Sequence, residues 1–157
     1  VLEGKEEYLN NPPVIPALGQ PVPRSYEDIL KLFHSSIVEL RFERRKKIKN
    51  GKVGHLKDTR RMLCTADWGL ISNVFARRLF DWKSPNKNRG KMWYKKRNLI
   101  IVWDFMKDDF RMISLDDWKP IAVFKTTSYF SRVAFMIYYK QVISKLPDNR
   151  RNSFSDK

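Results

Sequence analysis

All of the excess positive charge in this chain lies in two segments, which leaves the rest of the sequence to supply the core. The 157 residues carry 32 Lys and Arg against 17 Asp and Glu, a net charge of +15. Residues 41–61 hold ten basic and two acidic side chains, and residues 77–97 hold nine and one, so each segment nets +8 and the remainder nets −1. Two such blocks repel each other, and a bound polyanion is the natural way to offset that repulsion. The plainer alternative makes each block a solvated loop. At 42% hydrophobic and 13% aromatic residues the chain is too apolar to be disordered. Its one cysteine, Cys64, excludes a disulfide framework and a thiol-based zinc site. The longest apolar runs, 99–103 and 133–137, are too short to span a bilayer, and no signal-peptide pattern opens the chain. The expectation is a soluble intracellular protein that faces nucleic acid.

Residues 1–24 contain five of the eight prolines and little periodicity, and read as an extended arm. Ser25-Tyr-Glu-Asp28 gives a capping-box-like start to a short amphipathic helix carrying Ile29, Leu30, Leu32 and Phe33. Residues 37–44 alternate, with Val38, Leu40 and Phe42 on one side and Glu39, Arg41 and Glu43 on the other, which predicts a half-buried strand. A basic turn over 44–57 containing Asn50-Gly51 returns the chain to a second strand at Thr59–Thr65. A helix is expected over 71–80 and a second basic loop over Lys83–Arg97. Leu99–Asp104 and Phe110–Ser114 form a second hairpin, Leu115–Trp118 a helical turn, and Ile121–Thr127 a fifth strand. Thr127 or Ser128 caps a closing helix over Tyr129–Leu146. Five short strands with tight turns suit a small barrel in an α+β domain spanning 25–147, followed by a polar tail over 148–157.

The strands carry a recognisable pattern. Arg60-Arg-Met-Leu-Cys-Thr65, Val102-Trp-Asp104 and Phe110-Arg-Met-Ile113 resemble the strand motifs of a tailed-phage family of Sm-like, SH3-type β-barrels related to the WYL domain. The resemblance covers about residues 37–118. It implies an SH3/Sm-like antiparallel barrel of about five strands, a phage origin with action in the host cell cytoplasm, and a scaffold often used on RNA. The chain departs from the family pattern in its basic insertion at 44–57 and its long connection over 66–92, which carry most of the charge, so the fold transfers better than any activity.

Cations interleaved with aromatics are the leading functional signal. Phosphates need point charges or guanidinium forks, and unpaired bases need flat π faces. Lys91, Trp93, Tyr94, Lys95, Lys96 and Arg97 offer both within seven residues, extended upstream by Lys87 and Arg89. On a strand only one of Trp93 and Tyr94 could face a ligand; the alternative buries both aromatics beneath the cations. Arg44, Arg45, Lys46, Lys47, Lys49 and Lys52, with Arg60 and Arg61, form the other candidate surface. Nothing in these segments has a base-reading pattern, which favours sequence-neutral binding, with RNA or single strands ahead of duplex DNA.

Catalysis has weaker support. Asp104, Asp108, Asp109, Asp116 and Asp117 could be imagined as a metal-binding nuclease cluster, but they fall at turns where aspartate is ordinary. His34 and His55 lack partners at ligand spacing, and Cys64 reads as an inert core thiol. The expectation is a non-enzyme with no cofactor and no metal. The closing helix is apolar around nearly its whole circumference, which predicts either burial under the arm or a shared face. A shared face would mean self-association or docking on a host protein, with the cations engaging an acidic target.

Overall fold

The computed structural model describes residues 12–47, 53–71, 77–79, 89–116, 118–127 and 130–146, with backbone alone at Pro16 and over 43–47 and 53–60. It is an α+β fold with β1 (Val14–Pro16), α1 (Tyr26–Ser35), β2 (Ile37–Lys47), β3 (Val53–Thr65) and a 3-10 turn at Trp68–Leu70. Then come α2 (Lys91–Lys96), β4 (Leu99–Asp104), β5 (Asp109–Ser114), β6 (Trp118–Thr126), α3 (Arg132–Gln141) and a last 3-10 turn at Ile143–Lys145. The strands form one antiparallel sheet in the order β1-β6-β2-β3-β4-β5. It is an open sheet of six strands rather than five. The added strand lies in the proline-rich arm, where Val14 and Ile15 pair with Thr126 and Lys125 of β6. Pro16, which has no N–H to donate, sits there on an edge strand, where proline is tolerated.

Alternation along β2 led to one face being assigned to solvent, but both faces are covered. Val38, Leu40, Met62, Cys64, Ile100, Val102 and Ile113 pack with Ile29 and Phe33 of α1. On the other face Ile37, Leu63, Trp103, Ala122 and Phe124 pack with Phe135, Tyr138 and Tyr139 of α3, and Val14 of the arm joins them. The helices lock on through their ends. Ser25 caps α1 by accepting from Asp28 N at 3.1 Å, and Thr65 Oγ1 donates to Ser36 O at 2.8 Å. The cap of α3 is Ser131, which accepts from Ala134 N, so this helix begins later than Thr127 or Ser128 would have started it.

The sheet is strongly curled. Strands β2 and β5 are separated by β3 and β4, about 14 Å in a flat sheet. Yet Arg111 Cζ of β5 lies 5.5 Å from the Phe42 ring centroid of β2. The curl also shows in the chain path. Only three residues lie between Ser114 and Trp118, four Cα steps with a reach of at most about 14 Å, and Trp118 stands opposite Phe42. The end of the β4–β5 hairpin and the point where β6 joins β2 therefore share one rim.

Candidate nucleic-acid interface

The first basic segment is a strand pair for most of its length, so the strands run further into it than the basic turn expected over 44–57. The β2–β3 ladder continues past Phe42↔Arg60 through Arg45↔His55 and Lys46↔Gly54 to Lys47↔Val53, with a register shift between Glu43 and Arg45. Strand β6 stops covering β2 at Phe42, and the β3–β4 ladder pairs Cys64 and Thr65, with Phe105 N donating to Leu63 O just beyond it. A two-stranded ribbon bearing Arg44, Arg45, Lys46 and Lys47 thus runs about 16 Å beyond the sheet. Ribbons of this kind are marginal alone, and like charges along one add to the cost. Lys49, Lys52 and Lys87 fall outside the described residues.

At the root of the ribbon, register places Arg61, Arg41 and Lys119 abreast on β3, β2 and β6. Directly opposed residues share a face, so this is a cationic row on the α3 side of the sheet. Arg61 Nε also lies 3.8 Å from Glu39 Oε2, and Glu39 is fully buried one step inward. Sequence reasoning missed Arg41 and Lys119 as site residues. Arg41 was grouped with two glutamates on a presumed solvent face, and only the pairing with β6 brings Lys119 beside it. Arg60 stands opposite Phe42, on the other face.

The second basic segment corrects a further expectation. Lys91–Lys96 is a helix, so Trp93 and Tyr94 do not alternate across a strand. Gly90 opens it, and Asn98 closes it with φ 55°, a left-handed residue of the kind that ends helices. Six residues are too few for a stable isolated helix, and its side chains supply anchors. Lys95 Nζ pairs with Glu27 at the start of α1, which holds the Glu27 carboxyl below its usual range chiefly through that hydrogen bond. Nearby, Tyr26 Oη donates to Leu99 O at 2.8 Å, and burial, followed by the Glu27 charge, pushes its pKa up. Trp93 and Tyr94 meet edge to face at 5.1 Å.

Trp93 is half-buried, and two guanidinium groups lie over its ring. Arg89 Cζ lies 3.9 Å and Arg97 Cζ 4.2 Å from its ring centroid, and Arg97 Nη1 donates to Trp93 O at 3.1 Å. The two guanidinium carbons are consequently within about 8 Å of each other. Their repulsion is on the order of 0.5–2 kcal/mol at effective dielectrics of 80 to 20, comparable to the ~0.5–1 kcal/mol each gains from an exposed indole. Among the described residues, Arg89, Lys91, Lys96 and Arg97 have no carboxylate partner.

The aspartates have local work. Asp104 is buried, accepts from Met106 N at 2.8 Å and lies 3.7 Å from Arg111 Nε. Asp108, at φ 52°, pairs with Arg132; Asp109 lies 3.7 Å from Arg78; Asp116 accepts from Asn98 Nδ2 at 2.7 Å. Asp117 lies outside the described residues. His34 is exposed at the end of α1, with its ring 6.3 Å from Trp68. Cys64 is buried with its Sγ 3.7 Å from Val38 O, and burial, reinforced by Asp104, pushes the thiol well up. No protein-family model, curated protein or solved structure matches the chain.

Proposed function

We propose that this protein is a non-enzymatic, sequence-neutral binder of RNA or other single strands, of tailed-phage origin and acting in the host cell cytoplasm. The observation that carries the reading is the common rim. The basic ribbon springs from Phe42 and Arg60, the basic helix α2 leads into Leu99, and the Ser114–Trp118 link ties those two places together. One phosphate chain could then meet both segments, and simultaneous contact raises affinity without any single strong site. An initial helix followed by strands ordered β6-β2-β3-β4-β5, the last returning beside the first, supports an SH3/Sm-like barrel reading.

Charge reversal at Arg45, Lys46 and Lys47 together with Lys91, Lys96 and Arg97, which leaves the Lys95–Glu27 anchor in place, tests the proposal by fluorescence anisotropy with labelled single-stranded RNA. The expected result is loss of binding with an unchanged circular dichroism spectrum. Binding equal to the parent at physiological salt would refute it.

A second reading, docking on an acidic host protein, draws support from α3. Val133 is 62% and Ile137 36% exposed there, beside Lys140. A stoichiometric protein partner that survives nuclease treatment and is lost on Ile137→Asp would favour this reading over the first.

A further inference from the structure

Resting on the nucleic-acid reading, we infer that Arg89 and Arg97 form a phosphodiester clamp braced by Trp93, which acts as a positioning residue rather than a platform for bases. Four observations converge on it. Both guanidinium carbons lie close over one indole, at 3.9 and 4.2 Å from its centroid. Neither arginine has a carboxylate partner among the described residues, although Lys95 in the same segment has one in Glu27. The Arg97 side chain is fixed a second time by its bond to Trp93 O at 3.1 Å. Lys91 and Lys96 flank the pair, exposed and without ion-pair partners among the described residues.

Two guanidiniums held near one another have no carboxylate counter-ion among the described residues. A phosphate group answers the planar donor fork of each, and a phosphate bridging them removes their mutual repulsion. The brace matters because a free arginine loses considerable side-chain freedom on binding. Stacking on Trp93 takes up that loss beforehand, in the unbound protein. A base stacked on Trp93 would instead compete with these guanidiniums for the ring.

The test compares Trp93→Leu, Trp93→Phe, Arg89→Gln and Arg97→Gln with the parent on two probes of equal length, an oligouridylate and an abasic strand, across a salt series. Lys140→Gln serves as the charge control, since Lys140 lies on α3, which packs on the sheet face opposite α1, the helix to which Lys95 is paired. The clamp predicts that each arginine variant weakens binding about tenfold on both probes and lowers the salt slope by about one. Trp93→Leu should weaken both probes alike, and Trp93→Phe, which restores a π face, should recover most of the loss. A Trp93→Leu defect confined to the oligouridylate would overturn the clamp in favour of base stacking and leave the proposed function standing. Binding of neither probe by the parent would overturn both.

Discussion

Tyr139 Oη donates to Glu39 Oε2 in a fully buried contact that joins the last helix to β2 across 100 residues of sequence. Glu39 belongs to the strand that carries the basic ribbon, so α3 and the root of the ribbon are fastened at one point. Removing the donor while keeping the ring leaves the buried carboxylate with one hydrogen bond fewer, beside Arg61. Tyr139→Phe is therefore expected to cost about 1–3 kcal/mol in urea denaturation. Glu39→Gln, which removes the charge, should cost less. A Tyr139→Phe loss below about 0.5 kcal/mol would show that the contact contributes little.

The covered second face gives a further expectation. Phe135 is fully buried, with ring centroids 5.4 Å from Phe105, 6.0 Å from Phe130 and 6.3 Å from Phe124. Phe135→Ala should destabilise the fold by about 3–5 kcal/mol. If α3 instead serves mainly as a detachable docking element, the loss in thermal or urea unfolding will be far smaller.

Among the described residues, three groups hold their protons more tightly in the folded chain. Burial raises the pKa of Cys64, Tyr26 and Tyr138, with Asp104 adding to the first and Glu27 to the second. Groups raised in this way contribute stability below their unfolded pKa values and lose it as pH climbs toward the folded ones. Urea midpoints should hold near neutrality and fall from about pH 8.5 upward as the unfolded thiol and then the phenols ionise. Native Cys64 should react with a thiol reagent only at the rate of global or local opening. Rapid labelling at neutral pH would contradict the buried placement.

Glu27 shifts the other way, lowered by its bond to Lys95. The pair is intact above the ordinary carboxylate range and is lost as pH falls through the depressed value. Glu27→Gln frees Lys95 and removes a negative charge beside α2. It should tighten binding of single-stranded RNA by a factor of about two at neutral pH. Weaker binding would mean that holding α2 in place outweighs the freed charge.

The sequence made most of the elements legible, missed β1 and α2, and hid which elements are neighbours. Ser25 as a cap, the strands at 99–104 and 109–114 and the turn at Asp108 follow from local chemistry, and each stands where that chemistry puts it. The β1 strand was obscured because prolines that end up on a sheet edge look the same in sequence as prolines in a linker. Helix α2 was obscured because Lys and Arg are good helix formers but also mark basic loops, and the decisive signals, Gly90 and Asn98, flank only six residues. Glu39 was misread for a longer-range reason. Its burial depends on Tyr139 and Arg61 reaching it from other elements, which periodicity within β2 does not reveal. The cations at Arg44–Lys47 and Lys91–Arg97 were visible as charge, whereas the stacking of Arg89 and Arg97 on Trp93 needed a folded helix.

The central claim is that the ribbon and α2 grip one strand together, and the salt dependence of affinity for a single RNA long enough to reach both tests it most directly. Neutralising Arg45, Lys46 and Lys47, or separately Lys95, Lys96 and Arg97, should each flatten the plot of log affinity against log salt by about the number of phosphate contacts removed. On an RNA too short to bridge the two segments, the two changes should stop reinforcing one another. A slope left unchanged by neutralising either segment would contradict the account.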